Sequence, residues 1–307
     1  MVVIVGGVGG AKLALGLQMI LPPEQLTVIV NTGDDFWHYG LRICPDIDTV
    51  LYTLSGRVDP VNGWGLAEDS RTVLQALTAY GEDTWFGLGD KDLATHLLRT
   101  QMLRDGHSLT EVIAHLAKVQ AIQSAILPMT DEEVPTIVET AEYGELAFQE
   151  YFVKYRWQPT VTKLRYQNME QASLNPTIIS ALHNADMILF GPSNPWLSIE
   201  PILSVPGLRD AILARDVPRV AVTPIVGGQA IKGPAAKLMA ELGYDEVSAQ
   251  SVAEHYGAII NGFVYDTSDA AFHIAGLHTA RMDTIMKNNT DKARLAQQML
   301  AWIKEWN

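Results

Sequence analysis

The chain has 307 residues, enough for one large α/β domain or for a domain with a smaller addition. It carries 22 Lys and Arg against 35 Asp and Glu, a formal net charge of −13. This charge argues against a nucleic-acid partner, because such binding depends on cationic contacts to phosphate. The single cysteine, Cys44, rules out an internal disulfide and fits a reducing compartment. No run of 18 apolar residues occurs, and no basic stretch precedes an apolar segment at the N-terminus. The sequence therefore predicts a cytoplasmic protein without a membrane partner.

Apolar β-rich runs alternate with helical patterns along the chain, which is typical of a parallel sheet covered by helices. The predicted sheet strands cover residues 2–5, 27–31, 187–190, 219–223 and 262–265. Several of these runs are apolar at every position, as expected of central parallel strands. The predicted fold is therefore a Rossmann-like three-layer α/β sandwich with a mainly parallel sheet.

Between these strands, the patterns over residues 70–80, 92–105 and 108–120 are helical, and no strand stands out there. They predict a small helical subdomain at residues 64–125, inserted into an α/β core of residues 1–63 and 126–307. Further β-rich runs at residues 136–141, 147–155 and 161–166 predict antiparallel strands, and an amphipathic helix at residues 293–306 closes the chain.

The first predicted strand ends in a glycine turn, Gly6-Gly7-Val8-Gly9-Gly10, followed by a helical pattern that contains Lys12. A strand, a glycine turn and a helix present free backbone N–H groups to a phosphate. A P-loop would require Gly-Lys-Ser/Thr, and the third glycine position of the dinucleotide pattern is Lys12 here. The glycines therefore predict a phosphate site of unspecified ligand, and the alternative is a turn that needs glycine only for packing.

Four aspartates, Asp34, Asp35, Asp46 and Asp48, follow the second predicted strand within fifteen residues. Ligands of parallel sheets lie at the carboxyl ends of the strands, so this segment is expected beside the glycine turn. Mg²⁺ is held by one or two carboxylates together with phosphate oxygens, and the cluster predicts such a divalent cation. The alternative is that Asp34 and Asp48 cap helices, Asp48 lying just before a helical pattern at residues 50–54.

Three further segments carry polar groups that could reach the same edge. The candidates are Lys91, His96 and Arg99 near the start of a predicted helix, Ser193 and Asn194 in a Gly-Pro-Ser-Asn-Pro turn, and Lys232 in a glycine-rich loop. Each has an ordinary alternative, such as a structural histidine or a plain connection. If the sheet is parallel, all loops after its strands meet at one rim, and this convergence is stronger evidence than any single loop.

Together these motifs resemble the 2-phospho-L-lactate transferase family of coenzyme F-420 biosynthesis. The stretches that carry the resemblance are residues 6–12, 31–35, 45–52, 89–96, 104–106, 126–129, 191–195 and 233–237. A related family of gluconeogenesis factors shares the glycine turn and Asn-Thr-Gly-Asp-Asp at residues 31–35. The run Pro-Asp-Ile-Asp-Thr-Val-Leu-Tyr at residues 45–52 favours the transferase branch.

The resemblance implies a magnesium-dependent transferase that acts as a homodimer. It would move a phospholactyl-type group (2-phospho-L-lactate, phosphoenolpyruvate or phosphoglycerate) from a guanosine diphosphate diester to the ribityl hydroxyl of a deazaflavin, releasing GMP. The implied catalytic residues and metal ligands are Asp48 and Asp35, either of which could accept the ribityl proton. The deazaflavin would be bound by Asp48, Lys91, Trp37 and His96. The nucleotide and its phosphates would be bound by Gly7, Val8, Gly9, Gly10, Lys12, Asn31, Ser193 and Asn194.

Two other functions remain open at this level. The main alternative is a non-enzymatic regulatory protein that binds a nucleotide or sugar nucleotide on the same fold. A nicotinamide-dependent oxidoreductase is disfavoured by Lys12 at the third glycine position. Trp37, Trp64, Trp85 and Trp196 could stack on a flat tricyclic ring near the rim, and core packing is the alternative for each of them.

Overall fold

The structure, a computed structural model, describes residues 1–231 and 233–306 and contains fourteen strands and eleven α-helices within them. The strands are β1 (Val2–Val5), β2 (Thr27–Val30), β3 (Phe36–His38), β4 (Leu41–Ile43), β5 (Ala125–Pro128), β6 (Thr136–Thr140), β7 (Gly144–Ala147), β8 (Val161–Tyr166), β9 (Ile188–Phe190), β10 (Arg219–Val222), β11 (Ile225–Val226), β12 (Gln229–Ala230), β13 (Gly262–Asp266) and β14 (His278–Met282). The helices are α1 (Val8–Ile20), α2 (Pro45–Leu54), α3 (Thr72–Ala79), α4 (Asp90–Arg104), α5 (Leu109–Val119), α6 (Pro176–His183), α7 (Glu200–Leu203), α8 (Leu208–Leu213), α9 (Ala235–Glu241), α10 (Ala249–Tyr256) and α11 (Asn289–Lys304). Within the described ranges, no helix combines the length and the apolarity needed to cross a membrane.

The main sheet consists of seven parallel strands in the order β14-β13-β10-β9-β1-β2-β5. β1 lies inside the sheet, with Val2 opposite Thr27 of β2 and Ile188 of β9. All four residues of β1 are buried, as is usual for a parallel strand covered on both faces. The loops after β1, β2 and β9 therefore leave the sheet at the same edge.

Helices cover both faces of this sheet. Val3 and Val5 of β1 belong to a buried cluster built with α1, α2, α5 and α11. Val2 and Ile4 belong to a second cluster, which includes α6, α8, α10 and the small antiparallel sheet β7-β6-β8. Side chains of a strand alternate between the two faces, so one apolar strand serves both clusters. The predicted Rossmann-like three-layer sandwich is confirmed.

The predicted strand at residues 147–155 is wrong. β7 ends at Ala147, and Glu150–Lys154 forms a π-helical turn instead. The buried side chains Phe148 and Tyr151 are three positions apart, a helical spacing, whereas an exposed strand would bury alternate positions. The edge strands β5 and β14 were not predicted.

The predicted helical insertion contains α3, α4 and α5. Every residue of α3 is at least partly exposed. In contrast, α5 buries Val112, Ile113 and Leu116 in the same cluster as α1 and α2. The division of the chain at residues 64 and 125 stays a prediction.

Candidate functional site

Three loops and the first turn of α2 meet at the carboxyl edge of the main sheet. The amide of Gly6 donates a 2.9 Å hydrogen bond to Ser193 Oγ, which joins the loops after β1 and β9. Asn31, directly after β2, donates from Nδ2 to Asp46 Oδ2 at 3.0 Å. Asp46 Oδ1 would in turn lie 2.5 Å from a Cβ placed on Gly7. The structure therefore brings the loops after β1, β2 and β9 together, as the sequence predicts.

The glycine turn packs tightly against the loop after β9. A Cβ on Gly9 would stand 2.2 Å from the carbonyl oxygen of Pro192, and one on Gly10 would stand 2.7 Å from Ser193 Oγ. Packing thus requires glycine at both positions, whether or not a phosphate binds. α1 begins at Val8 with Gly7 as its N-cap, and within the described structure no side chain caps it. Its first amides, together with the positive end of the helix dipole, suit an anion.

Lys12 lies farther along α1 and is half-buried. Burial and, after it, the charge of Lys12 lower the pKa of Lys292 at the start of α11. Lys12 is thus close to α11, and its predicted contact with a phosphate stays a prediction.

Asn31 joins two carboxyl groups at this edge. Its Nδ2 donates to Asp34 Oδ1 as well as to Asp46 Oδ2, both at 3.0 Å, while its Oδ1 accepts from the amide of Gly33 at 2.9 Å. Burial, and then the neighbouring Asp46, raise the pKa of Asp34 well above its usual value. Burial also raises the pKa of Asp46 to about 6. This corner of the molecule therefore holds more carboxylate charge than its protein partners balance.

Asp35 continues the acidic series. It is buried, and its Oδ1 has no hydrogen-bond partner among the described residues. Its Oδ2 lies 3.5 Å from Arg42, which also pairs with Glu133 at 3.3 Å. Burial raises the pKa of Asp35 to about 7, although Arg42 acts in the opposite direction.

Asp48 lies in a buried network with residues of α4. Arg99, which is 0% exposed, grips both carboxylate oxygens of Asp48, one of them at 3.1 Å. His96 lies between Asp48, 3.6 Å from Nδ1, and Asp92, 3.3 Å from Nε2. Tyr52 donates to Asp92 Oδ1 at 2.5 Å. Burial opposes ionisation of Asp92, but its contacts with His96 and Tyr52 hold its pKa below the usual value.

The capping alternative for the aspartates is wrong. α2 begins at Pro45, so Asp48 lies within its first turn, where its own amide donates to the carbonyl of Cys44. Acidic residues in a first turn are stabilised by the helix dipole. Asp34 precedes no helix. In the helical insertion, aspartates do cap helix N-termini. Asp69, which precedes α3, accepts from the amides at the start of α4, and Asp90, the first residue of α4, accepts from the amides at the start of α3.

The four residues predicted to bind the deazaflavin differ in exposure. Asp48 and His96 are buried, whereas Lys91 is exposed and donates from Nζ to the carbonyl of Ala67 at 3.2 Å. Trp37 is 47% exposed, and its indole N–H donates to the Glu133 carboxylate. Lys91 and Trp37 are therefore accessible to a ligand in this conformation.

The other tryptophans lie in different surroundings. Trp196 is buried against Tyr244 and His255, which agrees with core packing. Trp85 packs edge-on against Phe86 close to β3, and Trp64 is 42% exposed.

Asn194 follows Ser193 at this edge. Its Oδ1 accepts from the amides of Trp196 and Leu197 and so caps the π-helical turn Pro195–Ile199. Its Nδ2 is buried without a partner among the described residues. The glycine-rich loop after β10 contains Lys232, which lies outside the described residues.

Sequence reasoning missed the part played by Asp92. Within the described chain, the set of three or more ligating side chains whose donor atoms lie within 4.8 Å of one another is Asp48, Asp92 and His96. Asp92, His96 and Arg99 occupy positions i, i+4 and i+7 of α4, one face of a helix. The spacing of these three polar residues can be seen in the sequence, whereas the burial of His96 and Arg99 can be seen only in the structure.

Comparison of this chain with known proteins identifies its family. The family model described as 2-phospho-L-lactate transferase CofD matches residues 1–305. The chain belongs to this family. A 2-phospho-L-lactate transferase of Methanosarcina mazei is 40% identical over 301 residues, covering 97% of this chain and 98% of the relative. A phosphoenolpyruvate transferase of Thermobifida fusca is 42% identical over 308 residues, covering 96% and 95%.

Membership of the 2-phospho-L-lactate transferase family makes the chain a transferase and supports its predicted place in coenzyme F-420 biosynthesis. The non-enzymatic regulatory alternative is not favoured by these matches. A solved structure of a UPF0052 family member from Bacillus halodurans superposes with a TM-score of 0.64, covering 97% of this chain and 98% of that chain. At 16% identity, it shows the shared fold alone.

Proposed function

We propose that this transferase moves a phospholactyl-type group from a guanosine diphosphate diester to the terminal ribityl hydroxyl of a deazaflavin, with release of GMP. The observation that carries the proposal is the meeting of the α1 N-terminus with an acidic series at one sheet edge. A Cβ on Gly7 would lie 2.5 Å from Asp46 Oδ1, so the two residues are neighbours. Asp46 shares Asn31 with Asp34, and Asp48 follows in the same turn of α2. Phosphoryl transfer needs in-line placement and neutralised oxygen charge more than covalent chemistry by the protein.

The diphosphate end of the donor would lie at the glycine turn. The first amides of α1, from Val8 to Gly10, are donors without partners inside the helix. Asn194 Nδ2 is a further donor in the loop packed on that turn. Its need for a partner is met if a phosphate or ribose oxygen of the donor accepts from it. Ser193, by contrast, uses its hydroxyl to accept from Gly6 and positions the turn.

The acidic series fits a bound Mg²⁺. Asp35 has an unpartnered buried oxygen, and burial raises the pKa values of Asp34, Asp35 and Asp46. Hard carboxylate oxygens are the ligands that Mg²⁺ prefers. Asp35, with its unpartnered oxygen, is the residue that would hold it; the predicted second ligand, Asp48, has Arg99 against both of its oxygens, and its place in the metal site stays a prediction. When bound, Mg²⁺ supplies charge neutralisation at the diphosphate oxygens.

The set Asp48, Asp92 and His96 is less suited to a second cation. Arg99 already lies against both oxygens of Asp48 and within 3.2 Å of His96 Nδ1. Its positive charge therefore already neutralises the carboxylate that a metal ion would bind.

The acceptor would approach from the side of Trp37 and Lys91, the two exposed members of the predicted deazaflavin site. Its ribityl hydroxyl must lose a proton as it attacks phosphorus, and Asp48 and Asp35 are the carboxylates at the edge that could take it. One positioned base contributes about 10²–10⁴-fold to such a step.

Product analysis tests the proposal. The protein is incubated with deazaflavin, Mg²⁺ and each of three guanylylated acids, derived from phospholactate, phosphoenolpyruvate and phosphoglycerate, and the products are identified by mass spectrometry. We expect GMP and a deazaflavin phosphodiester from at least one donor, and loss of both with a chelator. Absence of the phosphodiester with all three donors would refute the proposal.

A homodimer is also proposed, on the family resemblance alone. The apolar face of α11 packs on α1 within the same chain. Light scattering at the assay concentration tests the proposal, and a monomer mass would refute it.

A further inference from the structure

Arg99 is a fully buried cation that the proposed reaction does not use. It is 0% exposed, so its guanidinium is out of reach of a substrate. Burying a charge is costly unless it is paired and hydrogen-bonded. Here the compensation comes from Asp48, whose two oxygens face the two terminal nitrogens of Arg99. The pair joins α4 to α2 across 51 residues of sequence.

The guanidinium of Arg99 also restrains the orientation of the Asp48 carboxylate. A single donor would leave a carboxylate free to rotate, whereas a planar fork that meets both oxygens restrains its rotation. Arg99 Nη1 is held in turn by the carbonyl of Arg42 at 3.2 Å, so the fork itself is anchored to β4. The carbonyl of Arg42 thus restrains the guanidinium of Arg99, and the guanidinium restrains the plane of the Asp48 carboxylate.

The same nitrogen also contacts His96. Arg99 Nη1 has two N–H groups and three acceptors within reach, namely the Arg42 carbonyl, Asp48 Oδ2 and His96 Nδ1 at 3.2 Å. The other ring nitrogen of His96, Nε2, lies 3.3 Å from Asp92. Asp92 is held from its other side by Tyr52. Arg99 therefore lies against both Asp48 and His96, and His96 in turn adjoins Asp92.

We propose that Arg99 is a positioning residue of the transfer reaction: it holds the Asp48 carboxylate in the orientation that serves the reacting groups, without touching them. The inference rests on the role given to Asp48 in the proposed function. It makes a specific claim about mechanism, since the effect of Arg99 on turnover must pass through Asp48. Lysine cannot replace it, because one ammonium group cannot fix both oxygens.

A double-mutant cycle in kcat tests this claim. Wild type, Arg99→Lys, Asp48→Asn and the double variant are compared at saturating substrates, with KM for both substrates measured in parallel. Changes in residues that position a ligating or reacting group typically cost about 10–100-fold, and we expect this loss in kcat for Arg99→Lys. We expect the KM for the guanosine diphosphate donor to stay within about twofold, which is the scatter found for independent sites. In the Asp48→Asn background, the same change should alter kcat by less than about twofold.

Arg104→Lys is the matched control on the same helix. Arg104 is solvent-exposed and donates to the carbonyl of Gly40 at 3.0 Å, away from Asp48. We expect wild-type kcat for this variant. Circular dichroism of every variant shows whether it is folded at the assay temperature.

If Arg99→Lys does not fold, the variant Asp48→Glu with Arg99→Lys replaces it. It replaces the guanidinium by a shorter-reaching ammonium group, lengthens the anion by one methylene, and keeps the buried charges paired. We expect it to fold with kcat at least about tenfold below wild type, since one ammonium still cannot orient two oxygens. Wild-type kcat in this variant would overturn the inference.

The outcomes separate the inference from the proposed function. If Arg99→Lys lowers kcat by the same factor in wild type and in the Asp48→Asn variant, the positioning role is overturned and the proposed function stands. Near-normal turnover of Asp48→Asn alone would remove Asp48 from the mechanism and overturn both.

Discussion

Replacing Gly9 by alanine tests whether the loop after β9 must stay packed on the glycine turn. The new Cβ would lie 2.2 Å from the carbonyl oxygen of Pro192, so one backbone must move by about 1 Å to restore van der Waals contact. Such overpacking costs about 1–3 kcal/mol, against which alanine returns up to about 1 kcal/mol of helix propensity. With the full gain subtracted, the net loss of unfolding free energy is up to about 2 kcal/mol, which lowers Tm by a few degrees.

Gly16→Ala is a matched control in the same helix. Its Cβ would also lie 2.2 Å from a backbone carbonyl oxygen, that of Lys292 in α11. Gly16 is about 10 Å farther along the helix axis than Gly9. We expect both variants to lose similar stability in a thermal unfolding experiment. Only Gly9→Ala should also lose about 100-fold in kcat/KM, because Ser193 and Asn194 shift with Pro192 and misplacement of about 1 Å can cost that much. Equal losses of turnover in both variants would refute the reasoning.

Three further predictions concern the acidic series. Asp48→Asn should lower kcat by at least about 100-fold. It should also cost about 3–5 kcal/mol of unfolding free energy, because the charge of Arg99 is left buried without its partner; a denaturant titration measures the second effect, and unchanged stability would contradict it. Burial raises the pKa values of Asp35 to about 7 and of Asp46 to about 6, so the folded state binds more protons than the unfolded state above pH ~4. The unfolding free energy of the metal-free protein should therefore fall as pH rises from about 4 to 7, and urea titrations at both ends that show a rise would contradict this. Mg²⁺ added to chelator-treated protein should raise Tm, by the equivalent of about 2.7 kcal/mol at 100 times Kd, and Asp35→Asn should reduce that shift; an unchanged shift would remove Asp35 from the metal site.

The inner strands of the main sheet were predictable because their surroundings are uniform. β1 and β2 are covered on both faces, so an uninterrupted apolar β-branched run is the only pattern that suits them. β14 lies at the edge and is half-exposed, with His278 and Arg281 in its sequence. Such a strand has no apolar run to detect. It is formed by pairing with β13, which is a tertiary contact.

The candidate site was predictable to the extent that topology determines it. Parallel strands send their following loops to one edge, which brought Gly7, Asn31 and Ser193 together in the prediction as in the structure. The network around Asp48 follows no local rule. The charge of Arg99 is buried because its partner lies on another helix, and a sequence pattern does not reveal the burial of a charged residue.

The packing of α11 on α1 has a consequence for how the protein is made. The helix that carries the glycine turn is synthesised before α11, the helix that packs on it, and the remaining strands of the main sheet are made between the two. Until α11 has been made, Leu13 and Leu17 of α1 lack the apolar surface of Leu295 and Met299. The nascent chain therefore exposes an apolar stripe on α1 during that interval, and a polypeptide truncated before α11 is expected to aggregate.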